Sequence, residues 1–200
     1  SGGVHGANRL GGNGVANSTV FGGIAGDIMP EWIRRNGDFH EPDAATVEKA
    51  VALATAPLRK PARDLNAIRE KLSEVMWDDV GIIRDAASLR RADGALNELE
   101  ERLDASGVGA ADLAFNLGWH DWLNLKNLVL VSKAIRASAV AREDSRGAHY
   151  RSDFPELSDL DHSRYTCVHW RDGRFETTAR PVEFTRVKPG ETLLTAAAAA

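Results

Sequence analysis

The stretch AASLRRADGALNELEERLDA, residues 86–105, decides the fold. Leu89, Ala92, Leu96, Leu99 and Leu103 recur at spacings of three and four, while Arg90, Arg91, Glu98, Glu100, Glu101 and Arg102 fall largely outside that stripe. Such spacing predicts an amphipathic helix whose apolar face needs partners. Ser106-Gly107-Val108-Gly109 ends it.

The partners lie on both sides. Residues 43–55 read as a short helix, and 64–77 as another with Leu65, Ile68, Leu72, Val75 and Met76 on one side. After the glycines, residues 112 to 141 predict a long helix. Its Trp119, Leu123, Leu130 and Ile135 exceed what one face requires, which suits the central helix of a bundle. Burying one leucine or tryptophan stabilises by about 1.5–3 kcal/mol, so three such helices outweigh local propensity. The period then changes. Residues 165–171 and 174–180 flank Asp172-Gly173, a two-residue hairpin signal, and 182–187 could add a third strand after Pro181. The fold class is therefore mainly α: a bundle of about three long helices with a small C-terminal antiparallel sheet.

Toward the N-terminus, residues 29–40 read as a linker, with Pro30 and Gly37 in it and Pro42 just beyond. Residues 14–25 read as a helix of small residues. Its glycines cost about 1 kcal/mol each relative to alanine unless the helix packs closely on other backbone. Ahead of it, Val4-His5-Gly6-Ala7-Asn8-Arg9-Leu10-Gly11-Gly12-Asn13 sets one arginine among small residues before a helix start. Such backbone approaches something closely, and an anion-bearing ligand suits both the arginine and the helix start. The chain opens in the middle of this loop, so the site reads as cut in half.

Bulk composition excludes several classes. Two hundred residues, 43% hydrophobic and 27% charged, suit one ordinary domain plus a piece. A net charge of -4 gives no diffuse attraction to nucleic acid. The single cysteine, Cys167, cannot form an internal disulfide or a thiolate cluster, which fits a reducing compartment. No run approaches the roughly 20 apolar residues of a membrane helix, and no secretory leader is visible. The histidines His5, His40, His120, His149, His162 and His169 show no metal-ligand spacing. Trp77, Trp119 and Trp122 suit core or interface anchors, and residues 159–161 a solvated turn.

The motifs HGANRLGGN and VFGGIAG, with SRGAHYRSDFP at 145–155, resemble the flavoprotein subunit of succinate dehydrogenases and fumarate reductases, a group that includes L-aspartate oxidases. The resemblance covers most of the chain but only the C-terminal part of that family. No strand-linked Gly-x-Gly-x-x-Gly fingerprint is present, so the FAD-binding core and capping domain lie elsewhere. The implied division is a C-terminal remnant of the FAD-binding domain with its linker over 1–40, a helical bundle over 41–150, a small antiparallel β region over 151–195 and a tail over 196–200.

From the residues alone, Arg9 is either a fork for a carboxylate or a loop arginine satisfying carbonyls. The resemblance implies the former, binding a dicarboxylate beside the flavin. Gly14 and Val15 occupy positions whose backbone contacts FAD in the family, where their N–H groups would stabilise negative charge at the pyrimidine edge. The family's usual serine and leucine are replaced here, which removes a hydroxyl contact but leaves backbone donors. His5 reads as a structural hydrogen-bonding residue, and no catalytic residue or metal ligand is assigned. The segment 143–151 contains serine, histidine and carboxylates, yet its spacing argues against a hydrolase. The resemblance makes it a helix-terminating segment that docks the bundle on the flavin domain.

The expected function is a C-terminal fragment of a flavin-dependent succinate or fumarate oxidoreductase serving electron transport, inactive alone. The rivals are a non-catalytic helical assembly module and an aspartate oxidase fragment. Expected partners are the missing FAD-binding part, a small dicarboxylate and an iron-sulfur subunit. Nucleic acid and direct membrane insertion are not expected, and the placement is cytoplasmic, with partner subunits able to hold it at a membrane face.

Overall fold

The computed structural model describes residues 11–38, 40–109 and 112–192. The chain divides into two compact units, Ser1–Thr55 and Ala56–Ala200.

The first unit holds α1 (Asn13–Asn36) and α2 (Ala44–Thr55). α2 starts where Asp43 Oδ2 accepts from the Thr46 N–H at 2.8 Å and its hydroxyl at 2.6 Å. α1 corrects the expected linker, because the helix continues through Pro30 to Asn36. Proline removes one backbone donor there. Beyond it, Glu31 pairs with Arg35 one turn on, and the Asn36 side chain donates to the Trp32 carbonyl at 2.9 Å. Those local contacts carry the helix past the break, and Gly37 closes it with an N–H to the Ile33 carbonyl at 2.7 Å. Neither helix buries a described residue.

The second unit is the bundle. α3 (Leu65–Asp78) begins under Asp64, whose carboxylate accepts from the N–H groups of Asn66 and Ala67. α4 (Ala86–Asp104) begins with a capping box between Asp85 and Ser88. The whole stripe read on α4 is buried, against Ile68, Leu72 and Val75 of α3 and Trp122, Leu125, Val129 and Ala139 of α5 (Leu117–Ala141). Trp122 fills the core and satisfies its indole N–H on the Leu103 carbonyl at 2.9 Å. Lys126 and Lys133 of α5 hold Glu100 of α4 from outside.

α5 differs from expectation at its start. It starts at Leu117 rather than 112, because Asp112 Oδ1 takes the Ala114 N–H in a local turn at 2.9 Å and Phe115 adopts a φ of 56°. Asn116 then caps the Trp119 N–H at 2.9 Å. The apolar residues of α5 divide between inside and outside: Leu130 and Ile135 are 39% and 44% exposed, whereas Leu125 and Val129 are fully buried. A helix apolar on several sides does not reveal which side is inward.

β3 (Arg164–Arg171) and β4 (Arg174–Pro181) form the expected antiparallel hairpin, which lies against α5. Asp172 and Gly173 both take positive φ, 48° and 78°, as a two-residue turn requires. The third strand over 182–187 does not form. Val182 gives its N–H to the Ser163 carbonyl at 2.8 Å, after which the chain leaves the ribbon; β propensity without a paired neighbour does not make a strand. A further pair was not foreseen. β1 (Ile83–Arg84) lies parallel to β2 (Tyr150–Arg151), with Arg84 opposite Arg151. Two residues are too few to show alternation in a sequence.

Candidate functional site

The glycine loop delivers the start of α1. Gly12 takes a φ of 79°, which places it outside the helix as its N-cap without any side-chain cap, and no acid occupies the first turn. Among the described residues, nothing stands within 4 Å of where a Gly12 Cβ would be. The Gly12 carbonyl accepts from both the Val15 N–H at 3.0 Å and the Ala16 N–H at 3.2 Å. The Val15 donor, expected to be free, is thus engaged within the turn. Asn13 and Gly14, the first two helical positions, have no acceptor within the helix for their N–H groups. The Ser18 hydroxyl donates to the Gly14 carbonyl at 3.0 Å, and Asn17 Oδ1 is buried without a hydrogen-bond donor. Val15 exposes 74% of its surface and Gly14 is half-buried. Arg9 and His5 lie outside the described residues. Among the described residues this helix start carries no side-chain cap and no first-turn acid, which leaves the positive end of its dipole suited to an anionic or electron-rich acceptor.

The second polar cluster follows α5. Arg151 is 2% exposed, and its Nε and Nη2 donate to the two Asp153 oxygens, each at 2.7 Å. Its Nη1 reaches the α5 carbonyls of Ala139 at 2.8 Å and Val140 at 3.2 Å. Asp153 also accepts from the Ala86 N–H at 2.9 Å, which ties the start of α4 to the end of α5. The Arg151 guanidinium holds the Asp153 carboxyl down at about 2. Sequence reasoning missed this pair as a unit. Its signal was an arginine two residues from an aspartate beyond a helix end.

Ser145 and His149 are engaged elsewhere. The Ser145 hydroxyl accepts from the Arg151 N–H at 2.9 Å and donates to the Phe154 carbonyl at 2.8 Å. His149 Nε2 faces the Arg142 carbonyl at 3.2 Å and must therefore donate, leaving Nδ1 as the lone pair. Burial, and secondarily the charges of Arg84 and Arg142, push the imidazole below its usual range, against the Arg142 carbonyl contact. A serine and histidine consumed by backbone are not a nucleophile and base. Among the described residues no cluster of His, Cys, Asp and Glu could hold a metal, and no helix is long and apolar enough to cross a membrane.

A helical bundle with a trailing hairpin, preceded by a glycine-started helix, matches the C-terminal region of a class of redox flavoproteins. The fumarate reductase flavoprotein C-terminal family matches residues 69–193. An uncharacterized FAD-dependent oxidoreductase of Methanocaldococcus jannaschii is 43% identical over 162 residues, 80% of this chain and 28% of that protein. The 8-methylmenaquinol:fumarate reductase flavoprotein subunit of Wolinella succinogenes is 32% identical over 170 residues, 82% of this chain and 27% of that one. The structure of Mycobacterium smegmatis Sdh1 in complex with UQ1 superposes with a TM-score of 0.78 at 34% identity, over 92% of this chain and 31% of that one. The chain belongs to the succinate dehydrogenase and fumarate reductase flavoprotein family and corresponds to its C-terminal part. It spans 28% and 27% of the length of those two curated relatives.

Proposed function

We propose that the full-length protein is a flavin-dependent oxidoreductase that interconverts the saturated and unsaturated forms of a small dicarboxylate, and that the present chain is its C-terminal part, inactive alone. Residues 1–40 close the FAD-binding domain, 41–150 form the bundle, 151–195 the β region and 196–200 a tail. The observation that carries the reading is membership of the flavoprotein family. The start of α1 fits FAD: a positive-φ glycine, no capping side chain and no acid in the first turn, with no described atom within 4 Å of a Gly12 Cβ, suit the approach of a planar acceptor to the backbone.

Gly14 holds the cofactor through its N–H, with Val15 contributing backbone shape rather than a free donor, since its N–H already meets Gly12. Bound FAD supplies the hydride-accepting and hydride-donating ring. Arg9 fixes one substrate carboxylate with its planar fork and so orients the reacting carbon. The acid or base that moves the proton lies in the part of the protein that precedes this chain. Electrons leave or arrive through an iron-sulfur subunit, on the cytoplasmic side.

The test is Arg9→Ala in the full-length protein. Loss of a bidentate carboxylate contact predicts a fall in kcat/KM for succinate or fumarate of about 100-fold or more, with flavin content unchanged. Near-normal turnover would overturn the role of Arg9, and a purified wild-type protein without flavin would overturn the reading as a whole.

A further inference from the structure

Arg84 is an arginine with work left to do. Its side chain is half-buried on β1, its Nε is fully covered, and it makes no hydrogen bond or ion pair among the described residues. Every Asp and Glu of the chain lies within those residues, so no carboxylate side chain of these 200 residues is held in reserve for it. The neighbouring acids are spoken for: Asp85 takes the Ser88 N–H at 2.7 Å, and Asp153 is gripped by Arg151 and the Ala86 N–H. The neighbouring charge is Arg151, directly opposite in the β1–β2 register, and burial together with that like charge pushes the Arg84 guanidinium below its usual range. Covering part of a permanently charged group without a partner is costly, and folded proteins rarely leave it so.

We propose that Arg84 is the docking point for an aspartate or glutamate carboxylate from the flavin-binding part of the same full-length polypeptide, an inference that rests on the function proposed above. The chemistry selects a carboxylate. The donors of Arg151 go to Asp153 and to α5 carbonyls, and His149 gives its Nε2 proton to Arg142. Among the described residues, one planar guanidinium is therefore left without an acceptor, and its fork matches the two oxygens of a carboxylate. The tether selects the source. The remaining length of the relatives is more than twice that of the matched part, and a covalently linked surface meets Arg84 at high effective concentration, so a single ion pair suffices where a free partner needs a large interface. Because β1 is pinned to β2, which Arg151 anchors to α5, such a contact fixes the bundle's orientation toward the flavin.

The experiment is amide hydrogen exchange on full-length holoprotein, wild type against Arg84→Met and Arg84→Lys. The expected result is an acceleration of about tenfold or more in Arg84→Met, confined to one segment of the flavin-binding part that contains an Asp or Glu, with α3, α4 and α5 unchanged. Arg84→Lys, which keeps the charge but loses the fork, gives a smaller rise. High salt reproduces the acceleration in the wild type and adds nothing in Arg84→Met, a response that a packing role does not produce. Reversing both charges, with Arg84→Glu and the mapped acid changed to arginine, restores protection. No change outside residues 56–192, a change confined to a separate subunit, or loss of protection throughout α3–α5 overturns the proposal. Flavin content separates the two readings: a flavin-free wild type overturns the proposed function and this inference together, whereas flavin retained with unchanged exchange overturns the docking role alone.

Discussion

Arg151 spends its guanidinium on two elements at once, and that couples the charge of its carboxylate partner, Asp153, to the stability of the second unit. Asp153 sits at about 2, below its ordinary 3.8, because Arg151 and the Ala86 N–H stabilise the charged form. A carboxyl with a depressed folded pKa contributes stability above its unfolded pKa and loses it as pH falls through the folded one. The pair therefore supports the fold fully above about pH 4 and progressively less toward pH 2. Urea unfolding of Asp153→Asn across that range is expected to show lower stability at neutral pH and a shallower acid decline. A decline as steep as that of the wild type would falsify the linkage. At this scale the sequence was partly legible. The family motifs single out Arg9, Gly14 and Val15 as candidates and include Arg151, but neither the grip of Arg151 on Asp153 nor the half-covered Arg84 shows until the backbone brings one to a helix end and leaves the other without a partner.

Among elements, α4 was readable because five apolar residues at the helical interval admit one inward face, and all five are buried. α5 was readable as a helix but not as to which face turns inward, since Leu128, Leu130, Val131 and Ile135 remain exposed beside the buried Leu125 and Val129. Pro30 misled for a related reason: a local breaker was weighed without the i to i+4 contacts that carry α1 beyond it. The hairpin rested on turn chemistry, which is short-range and so visible. Gly173 takes a φ of 78°, with no atom of the described residues within 4 Å of a substituted Cβ, so Gly173→Ala isolates backbone strain from crowding. The expected cost is about 1 kcal/mol, read as a lower urea midpoint with an unchanged slope. An equal or higher midpoint would show that the turn does not hold this conformation.

For the molecule as a whole, the buried apolar core among the described residues lies in the second unit, from Ile68 to Ala139, and no described residue of α1 or α2 is buried. Local stability follows buried contact, so the two units of the isolated chain should separate in hydrogen exchange. Amides of α4 and the middle of α5 are expected to exchange only through global unfolding, while those of α1 and α2 exchange orders of magnitude faster. Equal protection in both would contradict this partition. The same asymmetry explains why the bundle was predictable while the helix read over 14–25 was cut short of its end at Asn36. A helix with exposed Phe21, Ile24, Ile28 and Trp32 and no buried described residue offers no inward stripe from which its end could be read.

The Arg151 clasp also bears on how this domain is made. α5 is complete at Ala141, yet the donor that closes its Ala139 and Val140 carbonyls arrives ten residues later, and the Asp153 oxygen that steadies the start of α4 arrives 67 residues after Ala86. On the ribosome, a nascent chain that has released all three bundle helices still lacks its final stitch. A polypeptide ending or cleaved between 141 and 153 would keep every long helix and forfeit the fastening that joins them.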